Sequence, residues 1–250
     1  MLHLVAFDSS IVNGSTFTKI SALQTEFENV QNNNLVVDPK LVNIMALYLF
    51  GANVARGQLQ SPSLQIPAYP DITPLNKLVA SSSVHPNYLD YTQSPMVLRP
   101  TEQLSAYSIN GGVAAENEIL LMLLSDGPIQ PVKGSFRTVR FSGSTTLTPH
   151  AWTSCSMTSE QNLPAGNYTV IGARARSAGA IGFRLGVPGL VTRPGGVAVQ
   201  TVDAEEPRIQ RAGGLGAWFS FAQNINITMD VLSTSADTAE YLELDIVGPQ

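Results

Sequence analysis

Cysteine is almost missing from this sequence: Cys155 is the single one in 250 residues. That excludes an internal disulfide framework and a metal site built from several thiolates. Histidine is nearly as scarce. His3, His85 and His150 are the three present; no two lie close enough to form the paired ligands of a helical zinc site, so each reads as a surface or loop residue. Charge is thin, at 13 % of residues with a net −5, about half the usual share. Such a chain has no global field to hold nucleic acid, and its apolar content is too high for a disordered protein. The longest apolar-rich run, Leu41–Phe50, falls well short of the about 20 residues of a membrane helix. Met1–Phe7 lacks the basic start and long apolar stretch of a signal peptide, so a soluble, cytosol-made protein is expected.

The motifs of common chemistries are also missing. There is no Gly-rich loop ending in Lys-Ser/Thr for phosphate and no Gly-x-Ser-x-Gly elbow for a nucleophile. Gly213-Gly214-Leu215-Gly216 reads as a turn or bulge. Cys155, among small polar residues in an alternating strand, reads as a packed thiol. Glu205-Glu206, and Glu116 with Glu118, are the nearest approach to a glycosidase pair, but any chain with 19 acidic residues offers such pairs. The expectation is a protein that is not an enzyme and has no catalytic, cofactor-binding or metal-binding residues.

What is present is turn chemistry and alternation. Twenty Gly and 16 Pro, spread along the chain, suit an all-β protein. Ile225, Ile227, Met229 and Val231 alternate with polar residues, as do Leu242, Leu244 and Ile246; Ile181, Phe183, Leu185 and Val187 alternate with Gly182, Arg184 and Gly186. Period-2 alternation predicts strands with one buried and one wet face. Further strands are expected at Phe136–Phe141, Ala151–Met157, Tyr168–Arg176, Val197–Val202 and Ala217–Phe221, between Pro/Gly breakers.

Three features of the first half stand apart. Phe17, Ile20, Leu23, Phe27 and Val30 recur at helical spacing; with Ser15 or Thr16 as N-cap and Asn32-Asn33-Asn34 as terminator, they predict an N-terminal helix. Leu41–Phe50 and Ile119–Leu124 are apolar on both faces and read as strands that need a second cover: the helix, a sister sheet or another chain. Residues 57–100 are Pro-rich yet carry aromatic and aliphatic residues, which predicts an ordered excursion with edge strands. Finally, Ala114–Leu121 and Thr238–Leu244 look alike in layout. Matching Ala115 to Ala239 suggests a duplication, each half ending on the same kind of hairpin, with domains at 1–127 and 128–250. Each half has about the residues that eight strands need, which makes two jelly-roll β-sandwich or barrel domains in tandem.

This layout, with the N-terminal helix and the Pro-rich excursion, resembles a double jelly-roll major capsid protein of tailless icosahedral viruses, internal-membrane bacteriophages included. The stretch from Leu163-Pro164-Ala165-Gly166-Asn167-Tyr168-Thr169-Val170 to Arg193-Pro194-Gly195-Gly196 has the texture of a virion structural protein. The resemblance implies homotrimers of pseudo-sixfold outline and barrels standing upright on the shell. It further implies contacts with neighbouring capsid proteins, an inner surface meeting the viral membrane or genome, and a protein made in the host cytoplasm and located in the virion. It implies no catalytic residues, cofactor or small-molecule substrate.

Most of the 14 basic residues follow residue 126, and nearly all of those are arginines. Arg174 and Arg176 share a strand face, with Arg137, Arg140, Arg184 and Arg193 expected nearby. They read either as a solvated face paired with Asp203, Glu205 and Glu206 or as intersubunit salt bridges. The alternative to a shell protein is a carbohydrate- or receptor-binding β-sandwich with Trp152, Trp218, Tyr88 and Tyr91 as stacking residues, although Trp218 beside Phe219 and Phe221 looks like core.

Overall fold

The structure is a computed structural model and describes residues 1–65, 71–72, 89–128, 131–198 and 215–249. Two compact units divide it: the first takes in the described residues from His3 to Gly127, the second those from Pro128 onward together with Met1–Leu2. The protein is all-β; among the described residues its helical structure is one short 3-10 turn, Pro62–Leu64.

The first unit carries β1 (Leu2–Ile11), β2 (Thr18–Ile20), β3 (Asn29–Gln31), β4 (Asn34–Val36), β5 (Asn43–Phe50), β6 (Val54–Gln60), β7 (Asp71–Ile72), β8 (Leu89–Asp90), β9 (Met96–Val97), β10 (Gln103–Asn110) and β11 (Glu116–Ser125). One sheet has the order β1-β11-β5-β8, with β9 also on β5; the other has β3-β4-β10-β6-β7, with β2 also on β10. Counting β4 as the second strand and β8 with β9 as the sixth, the sheets run first-eighth-third-sixth and second-seventh-fourth-fifth. Side chains from both sheets meet in one core, among them Phe7, Leu49 and Met122 from the first and Leu59, Leu104 and Ile20 from the second. The strand order is consistent with a jelly-roll sandwich.

The second unit carries β12 (Phe136–Gly143), β13 (Trp152–Ser159), β14 (Asn167–Arg176), β15 (Ala180–Gly186), β16 (Gly195–Val197), β17 (Phe219–Ala222), β18 (Ile227–Ser233) and β19 (Glu240–Val247). All eight lie on one hydrogen-bonded path, β16-β15-β18-β13-β12-β19-β14-β17. Its two halves, β12-β19-β14-β17 and β13-β18-β15-β16, repeat the order of the first unit, first-eighth-third-sixth and second-seventh-fourth-fifth. They are stitched where Phe141 and Ser142 of β12 pair with Ser159 and Thr158 of β13. The hairpin expected at the end of each half is corrected by the same topology: β10 and β11 lie in different sheets, as β18 and β19 lie in different halves of the path.

The expected N-terminal helix does not form. Its residues are divided between β2, β3 and the turns around them; Ile20 is fully buried, while Phe17, Leu23, Phe27 and Val30 are half-buried. Short strands broken by turns reproduce helical spacing by accident, and β-branched Thr16, Thr18 and Ile20 favour extended backbone. Asn32 and Asn33, expected as a helix terminator, have φ of 51° and 63° and join Gln31 to Asn34 across a tight hairpin. Positive φ at both central positions is the type I′ geometry that asparagine tolerates.

The doubly apolar runs are strands. On β11, Leu120, Met122 and Leu124 enter the core of the first unit, and Ile119, Leu121 and Leu123 point the other way, yet all six are at most 1 % exposed. Their second cover is within the chain, not another copy. The Pro-rich stretch supplies the edge pieces β7, β8 and β9; its residues 66–70 and 73–88 lie outside the described residues, as does most of the strand expected at Val197–Val202.

Replacing Asn33 by isoleucine puts a β-branched side chain in the left-handed region and is expected to lower stability by about 1–2 kcal/mol. Asn33→Gly keeps it near the wild-type value, and urea unfolding of the two variants checks the difference.

Candidate functional site

The residues with chemical potential are dispersed. His3 on β1 is buried, with its Nε2 3.1 Å from Glu28 Oε1, and Thr25 donates its hydroxyl to Glu28 Oε2. With Val5, Leu35 and Leu124 this pair lines a cavity of about 330 Å³ in the first unit, at whose wall Glu26 and Asp38 are exposed. His150 stands in the second unit, at the turn before β13 with φ of 61°, its backbone N donating to Ser233 O. His85 lies outside the described residues, and so do Tyr88, Asp203, Glu205, Glu206 and Gly213-Gly214. Among the described residues no three His, Cys, Asp or Glu side chains form a group that could hold a metal ion.

Cys155 is fully buried. Burial, reinforced by the Glu240 carboxylate, pushes its thiol up to about 11, so it stays protonated and unreactive at neutral pH. Glu116 and Glu118, two positions apart, share one face of β11 but differ in depth, Glu116 half-buried at the strand's start and Glu118 buried. Glu116 accepts from the backbone N and Nδ2 of Asn53 at 2.6 and 2.8 Å. Glu118 is wholly buried with neither oxygen in a hydrogen bond of good geometry. Burial pushes it up to about 7, against the nearby Ser108 hydroxyl and with some help from the Glu116 carboxylate. A carboxyl that no solvent reaches cannot meet a glycan, so this pair is not laid out as glycosidases require.

The stacking residues fare no better. Trp218 is 4 % exposed and belongs to the interior. Tyr91 packs against the core of the first unit, and burial raises its hydroxyl above the ordinary value. Trp152 is half-buried with the guanidinium of Arg184 4.4 Å from its ring centre.

The arginines are where charge is organised, and they separate into two places. Arg184, expected on the wet face of its strand, is 1 % exposed. Its Nε is 2.9 Å from Asp230 Oδ2, with Arg193 Nε 4.0 Å from the same oxygen. The register puts Arg184 opposite Asp230 on β18 and opposite Gly195 on β16. A Cβ at Gly195 would lie 2.0 Å from Phe183 O and 2.6 Å from Arg184 Cα, so only glycine lets the two strands close at this point.

The second place is the polar face of β12, β19 and β14. Arg140, Glu243 and Arg174 lie in one row across the three strands, and Ser142, Tyr241 and Arg176 in the next. Arg174 is saturated: Nε reaches Glu243, Nη1 and Nη2 reach the two oxygens of buried Asp245 at 3.0 and 3.1 Å, and Thr138 donates to Asp245. Arg140 and Arg176 lie 5.0 and 4.5 Å from the centre of the Tyr241 ring. Arg137, at the end of β12, bonds Gly248 O and lies over Tyr168. Among the described residues the partners include Asp230, Glu243, Asp245 and Glu160, and the cross-strand register was the signal that could have found the first three; the acids expected to pair with these arginines, Asp203, Glu205 and Glu206, lie outside the described residues.

No family model and no curated protein matches this chain. Two solved structures are similar to it in outline. The major capsid protein P2 from Bacteriophage PM2 is 9 % identical over 99 % of this chain and 97 % of that one, with a TM-score of 0.26. A xanthan lyase from Paenibacillus is 12 % identical over 96 % of this chain, which spans 25 % of the lyase, again with a TM-score of 0.26. Superpositions this loose carry no argument about what the chain does.

Two outcomes are expected. Between pH 4.5 and about 7 the folded chain keeps a proton on Glu118 that the unfolded chain has released. Stability therefore falls as pH rises through that window, by at most about 1.4 kcal/mol per pH unit. Glu118→Gln removes the slope and leaves the protein more stable than wild type at pH 8, read from urea midpoints. Asp230→Ala takes the carboxylate from a buried guanidinium and costs about 3–5 kcal/mol, measurable by thermal unfolding.

Proposed function

We propose that this chain is a structural virion protein, a double jelly-roll major capsid protein that trimerises and tiles an icosahedral shell. One observation carries the reading: a single chain of 250 residues runs through the same eight-strand order twice in succession. Two like sandwiches per chain, repeated three times around an axis, make six similar lobes. Such a block packs like a hexagon while needing only threefold symmetry.

The scarcity of charge suits this reading, because interface cores are depleted in charged residues. The doubly apolar strands do not support it, since the chain buries both of their faces itself. In this reading the protein does no catalysis and takes no cofactor, it is made in the host cytoplasm and resides in the virion, and its inner surface meets membrane or genome.

Light scattering coupled to gel filtration should give three times the 26.7 kDa chain mass, and electron micrographs should show pseudo-hexagonal particles or closed shells. A chain that stays monomeric at every concentration, with no assembly in the micrographs, would falsify the proposal.

A further inference from the structure

We infer that the polar face of β12, β19 and β14 is a docking surface for the first unit of a second copy of this chain, Arg140 and Arg176 receiving the carboxylates of Glu26 and Asp38. The inference rests on the reading that the chain assembles with copies of itself, and it names the contact.

The starting point is an imbalance within one sheet face. Arg140 and Arg176 stand on the two strands that flank β19, each strand about 4.8 Å from it, and both guanidiniums lie against the same tyrosine ring. Two cations on one ring repel each other, and the face supplies little to offset this. Arg174, one row away, takes up Glu243 and buried Asp245. Among the described residues Arg140 has only Glu160 as an acidic partner, at 3.5 Å with both side chains about 40 % exposed (44 % and 39 %), and a bridge that open contributes little. Arg176 meets the ring and no carboxylate among the described residues. A guanidinium that lies over an aromatic ring can still take a carboxylate through two parallel hydrogen bonds from its N–H edge.

The occupant follows from charge complementarity inside the chain's own composition. The whole chain is net −5, so copies repel unless patches of opposite sign meet. Glu26 and Asp38 are a pair of exposed carboxylates at the wall of one cavity, set beside partly buried Phe27 and Val36. Two exposed acids thus match two guanidiniums, that of exposed Arg140 and that of half-buried Arg176, with apolar surface beside the acids and Tyr241 beside the cations. Because the basic pair belongs to the second unit and the acidic pair to the first, the contact is heterologous. A heterologous contact makes a closed ring when its rotation closes, as a trimer requires.

The test is charge reversal read by light scattering at low salt, about 50 mM, where surface charges are least screened. Arg176→Glu alone, and Arg140→Glu with Arg176→Glu, should turn the wild-type trimer into monomer, with association weakened by roughly tenfold or more. Arg176→Gln should weaken it less. Adding Glu26→Arg and Asp38→Arg to the doubly reversed chain should restore the trimer, which a merely misfolded variant could not do; circular dichroism checks that each variant folds.

If the wild type trimerises and the reversed chains trimerise equally well, the docking is overturned while the shell reading stands. The docking is overturned too if reversal spares the trimer but abolishes binding of a short single-stranded DNA in fluorescence anisotropy, since the face would then serve nucleic acid. A wild-type chain that never associates overturns both.

Discussion

Two strands that are apolar on both faces can exist only in the middle of something. β5 and β11 lie side by side, pairing from Ile119 with Phe50 to Ser125 with Asn43, and neither can move to a sheet edge without presenting leucines to water along with unpaired backbone groups. With those two central, β1 and the short β8 and β9 are left as flanks, and β10 has to cross to the opposite sheet. The crossing brings Leu104 and Ala106 onto the core against Leu120 and Met122. Burial of such side chains at about 1.5–3 kcal/mol each drives the arrangement, and the strand order is its geometric result.

Each unit also hides ionisable groups, and Glu118 and Arg184 are accommodated by different chemistry. Glu118 can shed its charge by keeping a proton, so its site provides no counter-ion. Arg184 cannot, because a guanidinium does not lose its proton in proteins, and the second unit therefore brings Asp230 to it across a strand pair and packs Trp152 over its face. The glycines around Arg184 are the complement of that large side chain: Gly195 lets a backbone pass where no Cβ fits.

How far these features were legible depends on strand length. β18, β19 and β14 run for seven to ten residues, long enough for alternation to show, and they stand where Ile227, Leu242 and Val170 implied. β2, β3 and β4 are three residues each, too short for a period of two to appear, so the spacing of Phe17, Ile20 and Leu23 was set by turns and mimicked a helix. The sites were less readable. Arg184 alternates with Ile181, Phe183 and Leu185 as a solvent-facing residue would, and nothing local distinguishes it from Arg176. Its burial depends on Asp230, 46 positions away, and on how strands are ordered in the sheet. Glu118 shares a strand face with Glu116 and differs from it only by lying two residues further into β11.

Strand order also sets a timetable for synthesis. β1 ends at Ile11 and its neighbour β11 begins at Glu116, so at about 5–20 residues per second the ribosome leaves the first strand waiting roughly 5–20 s for that partner. Through that interval β1 has only its bridge from Phe7 to Ala22 to hold it, Leu2 and Leu4 have no sheet to enter, and non-local pairing of this kind is slow once it starts. A newly made chain of this topology spends its most vulnerable moments before its eleventh strand emerges, when crowding by sister chains on the same message carries the greatest risk of mispairing.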